Sequence, residues 1–450
     1  MQIYYIDKQQ VMKYIKRTID QELIAWSQRK DRKPLLLRGA RQVGKTSAVR
    51  HLGQSFKSYV EIDLNERRDL HSVFSPQNSP QQICNLLEVL LGVSIIAGDT
   101  LLVLDEIQAC PEAINKLRYF YERYPQLHVV ATGSLLEFAL SELPSFGVGR
   151  VESMFMYPFS FSEFLCAIGN ESLLEVIKSA DITHPLLNLL HDRANALLKV
   201  FMSIGGMPEV VSAYVTSQNL RDCQRILDTL IVSYRADFKK YHKKLSPQLI
   251  DDAWISIAEQ GSGKFVYSRV SRDLRSDVVK QAVQTLQMAG LVHTVVHTAA
   301  NGLPLGAEVN RKYYRILMMD TGIAQRLLNL NLLPFLSDSD TATINKGAIA
   351  EIYVAGELLK TLSPYSQHEL YCWHREESSG NAELDFVVEK NGKIIPVEVK
   401  SGTKGAMQSM HYFMQLKGLD VGIRTSLENY GAVGNIEIVP LYAIAEWMKR

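Results

Sequence analysis

The sequence predicts an α/β protein of several domains, with a parallel sheet covered by helices in its N-terminal part. Near-continuous apolar strands alternate with helical segments there, as in sheets that are buried on both faces. A glycine-rich loop joins the first of these strands to a helix, and an Asn-Gly pair joins two apolar runs near the C-terminus. A chain of 450 residues is too long for one compact core, and its length predicts about three domains.

Composition narrows the class of protein. Hydrophobic residues make up 46% of the chain and charged residues 22%, which is ordinary for a globular protein. The net charge of +1 means that any contact with nucleic acid must come from local basic patches. The cysteines are scattered without metal-ligand spacing, which argues against structural zinc or disulfides and for a reducing compartment. With no signal-peptide pattern and no apolar run of membrane-spanning length, we expect a cytoplasmic protein.

A phosphate-binding loop is the strongest motif. A strand at Leu35–Leu37 runs into a Gly-x-x-x-x-Gly-Lys-Thr segment, and a helix is predicted from Ser47 to Phe56. A simple strand-to-helix turn is the alternative, but the full motif with its strand and helix favours a nucleoside triphosphate, ATP. Lys45 would reach the β- and γ-phosphates, and Thr46 would hold Mg²⁺. The nucleotide-binding residues are Gly39, Ala40, Arg41, Gln42, Val43, Gly44, Lys45, Thr46 and Ser47.

The second motif is a pair of acidic residues at the end of a later strand. Further strands are predicted at Tyr59–Leu64, Thr100–Leu104 and Leu127–Thr132, and the second of these ends in Asp105-Glu106. Asp105 is expected beside Mg²⁺, and Glu106 is expected to orient and polarise the attacking water. Two acids that cap a following helix are the structural alternative.

Polar residues after the last of these strands are candidates for sensing the γ-phosphate. Ser134 is the first choice and Thr132 the second, because ligands bind at the carboxyl edge of open α/β sheets. A serine that caps the next helix is an equal alternative. Arg150, before a fifth strand at Val151–Tyr157, would supply positive charge to the phosphates of its own or a neighbouring subunit, unless it is a plain surface arginine.

Together these motifs resemble the prokaryotic AAA-like P-loop ATPases that carry a C-terminal domain of unknown function. The resemblance covers nearly the whole chain and implies an ATPase, but it implies no pathway. It depends on the segments Leu37–Thr46, Leu104–Gln108, Ala131–Ser134, Gly149–Val151, Tyr157–Phe164, Gly205–Val210 and Gly347–Glu351.

The middle of the chain predicts two further parts. Glu171–Tyr241 has apolar residues at helical spacing and suits a helical lid, followed by a basic run, Lys239–Lys244, that is typical of a solvated face. From Pro247 to Met318 the pattern favours a winged helix. Its helices would be Pro247–Gln260, Ser268–Leu274 and Ser276–Ala289, its strands Leu291–Thr298 and Lys312–Met318, and its wing Asn301–Asn310.

The predicted winged helix places basic residues where DNA phosphates would lie. These residues are Arg269, Arg272, Arg275 and Lys280. Such contacts position a protein on DNA without reading its sequence. A packing or protein-docking module is the alternative.

The C-terminal Asn391-Gly392 pair predicts a hairpin with a two-residue turn. Lys390 then faces Lys393, and counting outward puts Asp385 opposite Glu398 and Glu383 opposite Lys400, all on one face. Facing carboxylates repel each other, and a divalent cation is the natural compensation. Lys400 beside the metal would position the water that attacks a phosphodiester.

This hairpin resembles the restriction-endonuclease-like nuclease fold. The resemblance implies that Asp385 and Glu398 bind Mg²⁺, that Lys400 assists catalysis and that Glu351 is the helix carboxylate. Leu384 departs from the usual proline before the aspartate. The three alternatives are an active metal site, an inactive relic, and a plain charged face with a Glu383–Lys400 cross-strand pair and exposed acids.

The predicted domains are a P-loop AAA-like ATPase core at 1–165, a helical lid at 166–244, a winged-helix-like domain at 245–335 and a nuclease-like α/β domain at 340–450. Linkers are expected at Gln28–Lys33 and Leu336–Asn345. The first functional hypothesis is an ATP- and Mg²⁺-dependent enzyme that acts on nucleic acid, with a candidate metal-dependent nuclease site. The second is an ATP-dependent regulatory switch that binds a protein partner through an inactive nuclease-like domain. Both allow a homo-oligomer and involve no membrane.

Overall fold

The protein was analysed as a computed structural model that describes residues 14–142, 149–241, 245–330, 346–375, 382–402 and 407–450. The chain forms two compact units. The first comprises the residues up to Tyr157 together with Ser363–Gln367, and the second comprises Pro158–Leu362 and His368–Arg450. Among the described residues, no helix combines the length and apolarity needed to span a membrane.

The first unit is built on a parallel five-stranded sheet in the order β2-β3-β4-β1-β5. Its strands are β1 (Leu35–Arg38), β2 (Ser58–Asp63), β3 (Thr100–Asp105), β4 (His128–Thr132) and β5 (Glu152–Phe155). Its helices are α1 (Ile19–Gln28), α2 (Lys45–Gly53), α3 (Pro80–Leu91), α4 (Pro111–Arg123) and α5 (Leu136–Glu142). The predicted parallel sheet and its strands are confirmed.

Burial explains why these segments are strands. All residues of β3 except Asp105, and all residues of β4, are buried, because helices cover both faces of a parallel sheet. On one face, α3 and α4 contribute Ile83, Leu87, Leu117 and Phe120 to the core. The helix predicted at Ser47–Phe56 begins two residues earlier, at Lys45, and ends at Gly53. A Cβ atom at Gly53 would lie 2.3 Å from the Tyr59 ring.

The second unit begins with helices and continues into a large sheet. Its helices before the sheet are α6 (Phe161–Ala167), α7 (Glu171–Ser179), α8 (Asn188–Ile204), α9 (Pro208–Ser217), α10 (Leu220–Tyr241), α11 (Pro247–Gln260) and α12 (Ser276–Met288). The later helices are α13 (Thr321–Leu327), α14 (Lys346–Thr361), α15 (Gln408–Lys417) and α16 (Ile444–Lys449).

The sheet of the second unit has eight strands in the order β12-β13-β11-β10-β9-β8-β6-β7. The strands are β6 (Val292–Thr298), β7 (Val309–Met318), β8 (Leu370–His374), β9 (Glu383–Lys390), β10 (Lys393–Val399), β11 (Gly422–Ser426), β12 (Gly431–Val433) and β13 (Ile436–Pro440). β8 runs antiparallel to β9 and β9 to β10, whereas β10, β11 and β13 are parallel.

The predicted winged helix differs from the structure in two ways. A helix was expected at Ser268–Leu274, but only a short 3-10 turn forms, at Tyr267–Arg269. The predicted strands are present, but β6 pairs with β8 and so extends the C-terminal sheet. Within the predicted wing, Leu305 is buried in a core with Trp373 and residues of α15, whereas most of the other wing residues are exposed. Local sequence patterns cannot show such long-range packing.

The structure therefore groups the chain differently from the predicted four domains. Apart from Ser363–Gln367, the first unit ends at Tyr157. Helix α6 belongs to the second unit together with the predicted lid. The predicted winged-helix-like and nuclease-like parts share one sheet. The linker predicted at Leu336–Asn345 and the end of the basic run, residues 242–244, lie outside the described residues.

The Gly205-Gly206 segment is a close approach of backbones in the second unit. Gly206 accepts a hydrogen bond from the Phe159 amide at 2.7 Å, and its own amide donates to the buried Asp320 carboxylate at 2.6 Å. The same carboxylate caps α13 by accepting from the Ile323 amide. The glycines of this motif are therefore explained by packing.

Replacing Gly206 by alanine should destabilise the second unit by roughly 1–3 kcal/mol, because the added atom overpacks this contact. The new Cβ would lie 2.4 Å from the Phe159 carbonyl oxygen. Gly347→Ala is the matched control, since a Cβ there would have no neighbour within 4 Å in the described part of the chain. Urea denaturation measures both variants, and equal stabilities would contradict the packing explanation.

Candidate functional site

The phosphate-binding loop lies between β1 and α2, at the carboxyl edge of the parallel sheet. Gly39 has a φ of +137°, and a Cβ atom there would lie 2.2 Å from the Met156 carbonyl oxygen. Gly44 has a φ of 96° and is the last residue before α2. Both positions need glycine, and they bring backbone amides to the N-terminus of a helix, where anions bind favourably.

Lys45 is buried at the centre of this loop. Its Nζ atom donates hydrogen bonds to the carbonyl oxygens of Gly39 at 2.8 Å and Ala40 at 2.7 Å. Burial lowers the pKa of the Lys45 ammonium to about 8, although the charges of Glu106 and Asp105 oppose this shift. The loop therefore holds a desolvated cation, which favours a negatively charged ligand.

This pKa predicts how ATP affinity depends on pH. A bound triphosphate would raise the Lys45 pKa above the ligand-free value of about 8, so binding above that pH takes up a proton. The titration of Lys45 should therefore leave ATP affinity unchanged below about pH 8 and lower it by up to about tenfold per pH unit above that value. Titration with a fluorescent ATP analogue measures this. Lys45→Arg should abolish the fall, since arginine does not titrate in this range, and a flat wild-type profile would contradict the assignment.

Thr46 and Asp105 are brought together as predicted for a magnesium site. The Thr46 hydroxyl donates to Asp105 Oδ2 at 3.0 Å, and the Thr132 hydroxyl donates to Asp105 Oδ1. β1, β3 and β4 are neighbours in the sheet, so their carboxyl ends place these three side chains at one edge. Hydroxyl and carboxylate oxygens are the ligands that Mg²⁺ prefers, and this pair fits such an ion.

Glu106 has a left-handed backbone conformation, with a φ of 48°. Its Oε2 accepts hydrogen bonds from the Ser134 hydroxyl at 3.0 Å and from the Gln108 side-chain amide. Ser134 therefore contacts the predicted catalytic carboxylate. Gln108 was not anticipated, although its position two residues after Glu106 places it in the same acidic motif.

Two arginines of the first unit, Arg17 and Arg150, lie in different places relative to the loop. Arg17, which sequence reasoning missed, is buried and donates to the carbonyl oxygens of Val43 at 3.2 Å and Tyr157 at 2.7 Å, so it supports the loop from behind. Arg150 precedes β5, whose first residue is level with Leu35 at the start of β1. It therefore lies at the sheet edge opposite the loop and pairs with Glu122 at 3.0 Å. A role towards phosphates of a neighbouring subunit stays a prediction.

The second candidate site lies on the β9–β10 hairpin of the second unit. The predicted register is confirmed, since Lys390 pairs with Lys393 and the ladder continues to Phe386 and Val397. Asn391 and Gly392 have φ angles of 51° and 72°, as their turn requires. One step further out, the Asp385 carboxylate accepts from the Val399 amide at 2.8 Å, so it lies against β10.

A buried arginine lies among the predicted metal ligands. Arg315, from β7, donates through Nη1 to Glu351 Oε2 at 2.7 Å and lies 3.5 Å from Asp385 Oδ1. Its Nη2 donates to the Asp385 carbonyl oxygen, and Ser262 donates to Glu351 Oε1 at 2.6 Å. Sequence reasoning missed Arg315, yet the signal was present: it is a single charge within the apolar end of a strand.

Glu398 and Lys400 form a second ion pair in this region. Lys400 Nζ donates to Glu398 Oε1 at 2.7 Å, whereas the buried Glu398 Oε2 has no hydrogen-bond partner among the described residues. Glu383 accepts from the Tyr313 hydroxyl at 3.0 Å, so the alternative of a Glu383–Lys400 pair does not describe the structure. The three predicted carboxylates are thus near one another, and each has a lysine or arginine as its neighbour.

Burial and the neighbouring charges shift the pKa values of the groups in this cluster. Burial raises the pKa of Glu351 to about 8 and that of Glu398 to about 7, and the negative charge of Asp385 adds to both shifts. Burial by itself would lower the pKa of Arg315, but Glu351 and Asp385 raise it above its ordinary value. The arginine is therefore a permanent cation within a partly desolvated group of acids.

The carboxylates do not fit a shared divalent ion in this arrangement, because a guanidinium lies between Glu351 and Asp385. Within the described parts of the chain, no group of three His, Cys, Asp or Glu side chains is placed to hold a metal ion. The structure thus supports the predicted proximity of these acids and gives no support to a metal centre there.

Comparison with protein families matches three segments of the chain. Residues 31–165 match the family described as AAA domain. Residues 195–333 match a domain of unknown function (DUF8612), and residues 346–444 match another (DUF4143). The comparison with curated proteins finds no matching sequence.

Several solved structures are distantly similar to this chain. A Walker-type ATPase of Pyrococcus abyssi is 16% identical over 70% of this chain and 96% of its own, with a TM-score of 0.44. The Orc1 protein of Aeropyrum pernix, solved in complex with DNA, is 12% identical over 73% of this chain and 95% of its own, with a TM-score of 0.31. These likenesses are too distant to assign a function. The family match and the geometry of the loop identify the N-terminal unit as an AAA-like P-loop ATPase domain.

Proposed function

We propose that this protein hydrolyses ATP with Mg²⁺ and uses the reaction to act on nucleic acid without cutting it. The observation that carries the ATPase part is the convergence of Lys45, Thr46, Asp105 and Glu106 at one edge of the sheet. In this proposal Lys45 contacts the β- and γ-phosphates, and Thr46 and Asp105 hold Mg²⁺, which neutralises phosphate charge when bound. Glu106 orients and polarises the attacking water.

Ser134 and Gln108 have a defined part in this mechanism. Both hydrogen-bond to Glu106 Oε2. These bonds orient the carboxylate, and its other oxygen, Oε1, can accept the proton of the attacking water. This makes Ser134 a positioning residue for the base, and a direct contact with the γ-phosphate stays a prediction.

The nucleic-acid part of the proposal comes from a basic segment of the second unit. Lys264, Arg269, Arg272 and Lys280 are exposed, whereas Arg275 is paired with Asp277 at 2.9 Å. Lys264 forms a β-bridge with Arg315, so the segment begins beside the carboxylate cluster. Exposed lysines and arginines bind phosphates by displacing counterions, without reading sequence. No cleavage step is assigned to the carboxylates, since a guanidinium separates Glu351 from Asp385.

Charge reversal in this segment tests the proposal. Arg269→Glu combined with Arg272→Glu should weaken binding to labelled duplex DNA at least tenfold, whatever its sequence, and reduce the salt dependence. Arg221→Glu with Arg225→Glu, two exposed positions on α10, is the matched control. Fluorescence anisotropy at several salt concentrations measures both variants. Equal effects of the two variants, or no DNA binding by the wild type, would contradict a role for this surface.

A second candidate function is an ATP-dependent switch that binds a protein partner. The ion pairs of Glu351 and Glu398 favour it, because a carboxylate that is paired with a cation of the chain is less available to a metal ion. It predicts slow ATP hydrolysis, no DNA binding and a partner that is retained only with ATP. Partner capture that is insensitive to Lys45→Ala would count against this alternative.

A further inference from the structure

The carboxylate cluster on the hairpin already contains its own cation. Arg315 lies on β7, whose side chains reach the same region as those of β8 and β9, and its own side chain is only 6% exposed. One guanidinium nitrogen contacts Glu351 and lies 3.5 Å from Asp385, and the other contacts the Asp385 carbonyl oxygen. Its guanidinium also lies 5.5 Å from the centre of the Phe386 ring.

We propose that Arg315 is the resident cation of this cluster and excludes a divalent metal ion from it. The guanidinium occupies the space between the two carboxylates that a shared metal ion would need. A divalent ion bound to Asp385 would also lie close to a permanent positive charge in a poorly solvated place, where repulsion is strong. Arginine is suited to this role because it stays charged when buried and binds carboxylates through a planar fork.

The surroundings of Arg315 hold it in place. The Ser262 carbonyl oxygen accepts from Arg315 Nη1 at 3.2 Å, and the Ser262 hydroxyl donates to the other oxygen of Glu351. Lys264 pairs with the backbone of Arg315 at the outer edge of β7. The second cation, Lys400, holds Glu398 Oε1 at 2.7 Å. Each of the three acids thus has a cationic neighbour from the chain itself.

The inference does not depend on ATP hydrolysis or on nucleic-acid binding. It predicts that the wild-type chain binds no Mn²⁺ at this cluster, and that removing the guanidinium creates a site. Mn²⁺ binding to the nucleotide-free full-length protein can be counted by electron paramagnetic resonance of the free ion. Asp385→Asn identifies the contribution of the cluster and separates it from Mn²⁺ bound at the phosphate-binding loop.

The wild type and Asp385→Asn should bind the same number of Mn²⁺ ions. Arg315→Met should gain one site, whose affinity for Mn²⁺ is at least tenfold higher than that of any residual site. The double variant Arg315→Met with Asp385→Asn should lose this new site. Arg311→Met is the matched control, because Arg311 lies on the same strand but is exposed and paired with Glu369. It should gain no site.

Two results would overturn the proposal. If the wild type binds one more Mn²⁺ ion than Asp385→Asn, a metal ion coexists with Arg315. If Arg315→Met folds and gains no site, the guanidinium is not what excludes the ion. Should Arg315→Met fail to fold, the comparison of the wild type with Asp385→Asn still decides whether the native cluster holds a metal ion. ATP turnover, measured in the same samples, reports separately on the first unit.

Discussion

Glu106→Gln should lower the rate of ATP hydrolysis by at least about 100-fold while ATP binding is retained. Glutamine keeps the size of the side chain but cannot accept the proton of the attacking water. The amide oxygen can still accept the hydrogen bond that Ser134 now donates at 3.0 Å, so the loop should keep its structure. A coupled assay for phosphate release, together with equilibrium binding of an ATP analogue, measures the two effects separately.

Glu122→Gln is the matched control for this experiment. Glu122 lies in the same unit but is exposed and pairs with Arg150 at 3.0 Å. Its replacement should change turnover little, since exposed ion pairs contribute little to structure. Equal turnover by the wild type and Glu106→Gln would contradict the assignment of Glu106 as the base.

Arg315→Met should destabilise the second unit by about 3–5 kcal/mol, which is the usual cost of removing one partner of a buried ion pair. The loss would leave Glu351 and Asp385 close together without a cation between them. Adding Glu351→Gln to this variant should recover part of the lost stability, because it removes one of the two carboxyl groups that would lose their cation. Chemical denaturation of the single and double variants gives the interaction between the two residues.

Arg311→Met provides the comparison on the same strand. Its ion pair with Glu369 is exposed, so its loss should cost no more than about 1 kcal/mol. If Arg315→Met is no less stable than Arg311→Met, or if Glu351→Gln makes it worse, Arg315 does not neutralise the cluster.

The first unit could be predicted closely because its signals are local. The spacing from Gly39 to Thr46 and the apolar strand that ends at Asp105 each specify a turn or a strand within a few residues. The register of the C-terminal hairpin was predictable for the same reason. Asn391 and Gly392 fix the turn, and pairing then follows by counting.

The remaining features depend on contacts between distant parts of the chain. The strand predicted at Leu291–Thr298 is present as β6, but no residue pattern within that segment shows that β6 pairs with β8. The predicted wing is polar and contains glycine, yet Leu305 from it is buried against α15. Arg315 lies 36 residues from Glu351 and 70 from Asp385 in sequence, so only the fold reveals that they meet.

The central claim is that this protein turns over ATP and leaves nucleic acid uncut. Supercoiled plasmid and single-stranded DNA, incubated with the full-length protein, ATP and Mg²⁺ or Mn²⁺, test both parts in one reaction. We expect phosphate to be released from ATP and the DNA to remain intact. Cleavage that disappears in Lys400→Ala would contradict the account and establish a nuclease centred on Asp385, Glu398 and Lys400. Absence of phosphate release would contradict the ATPase itself.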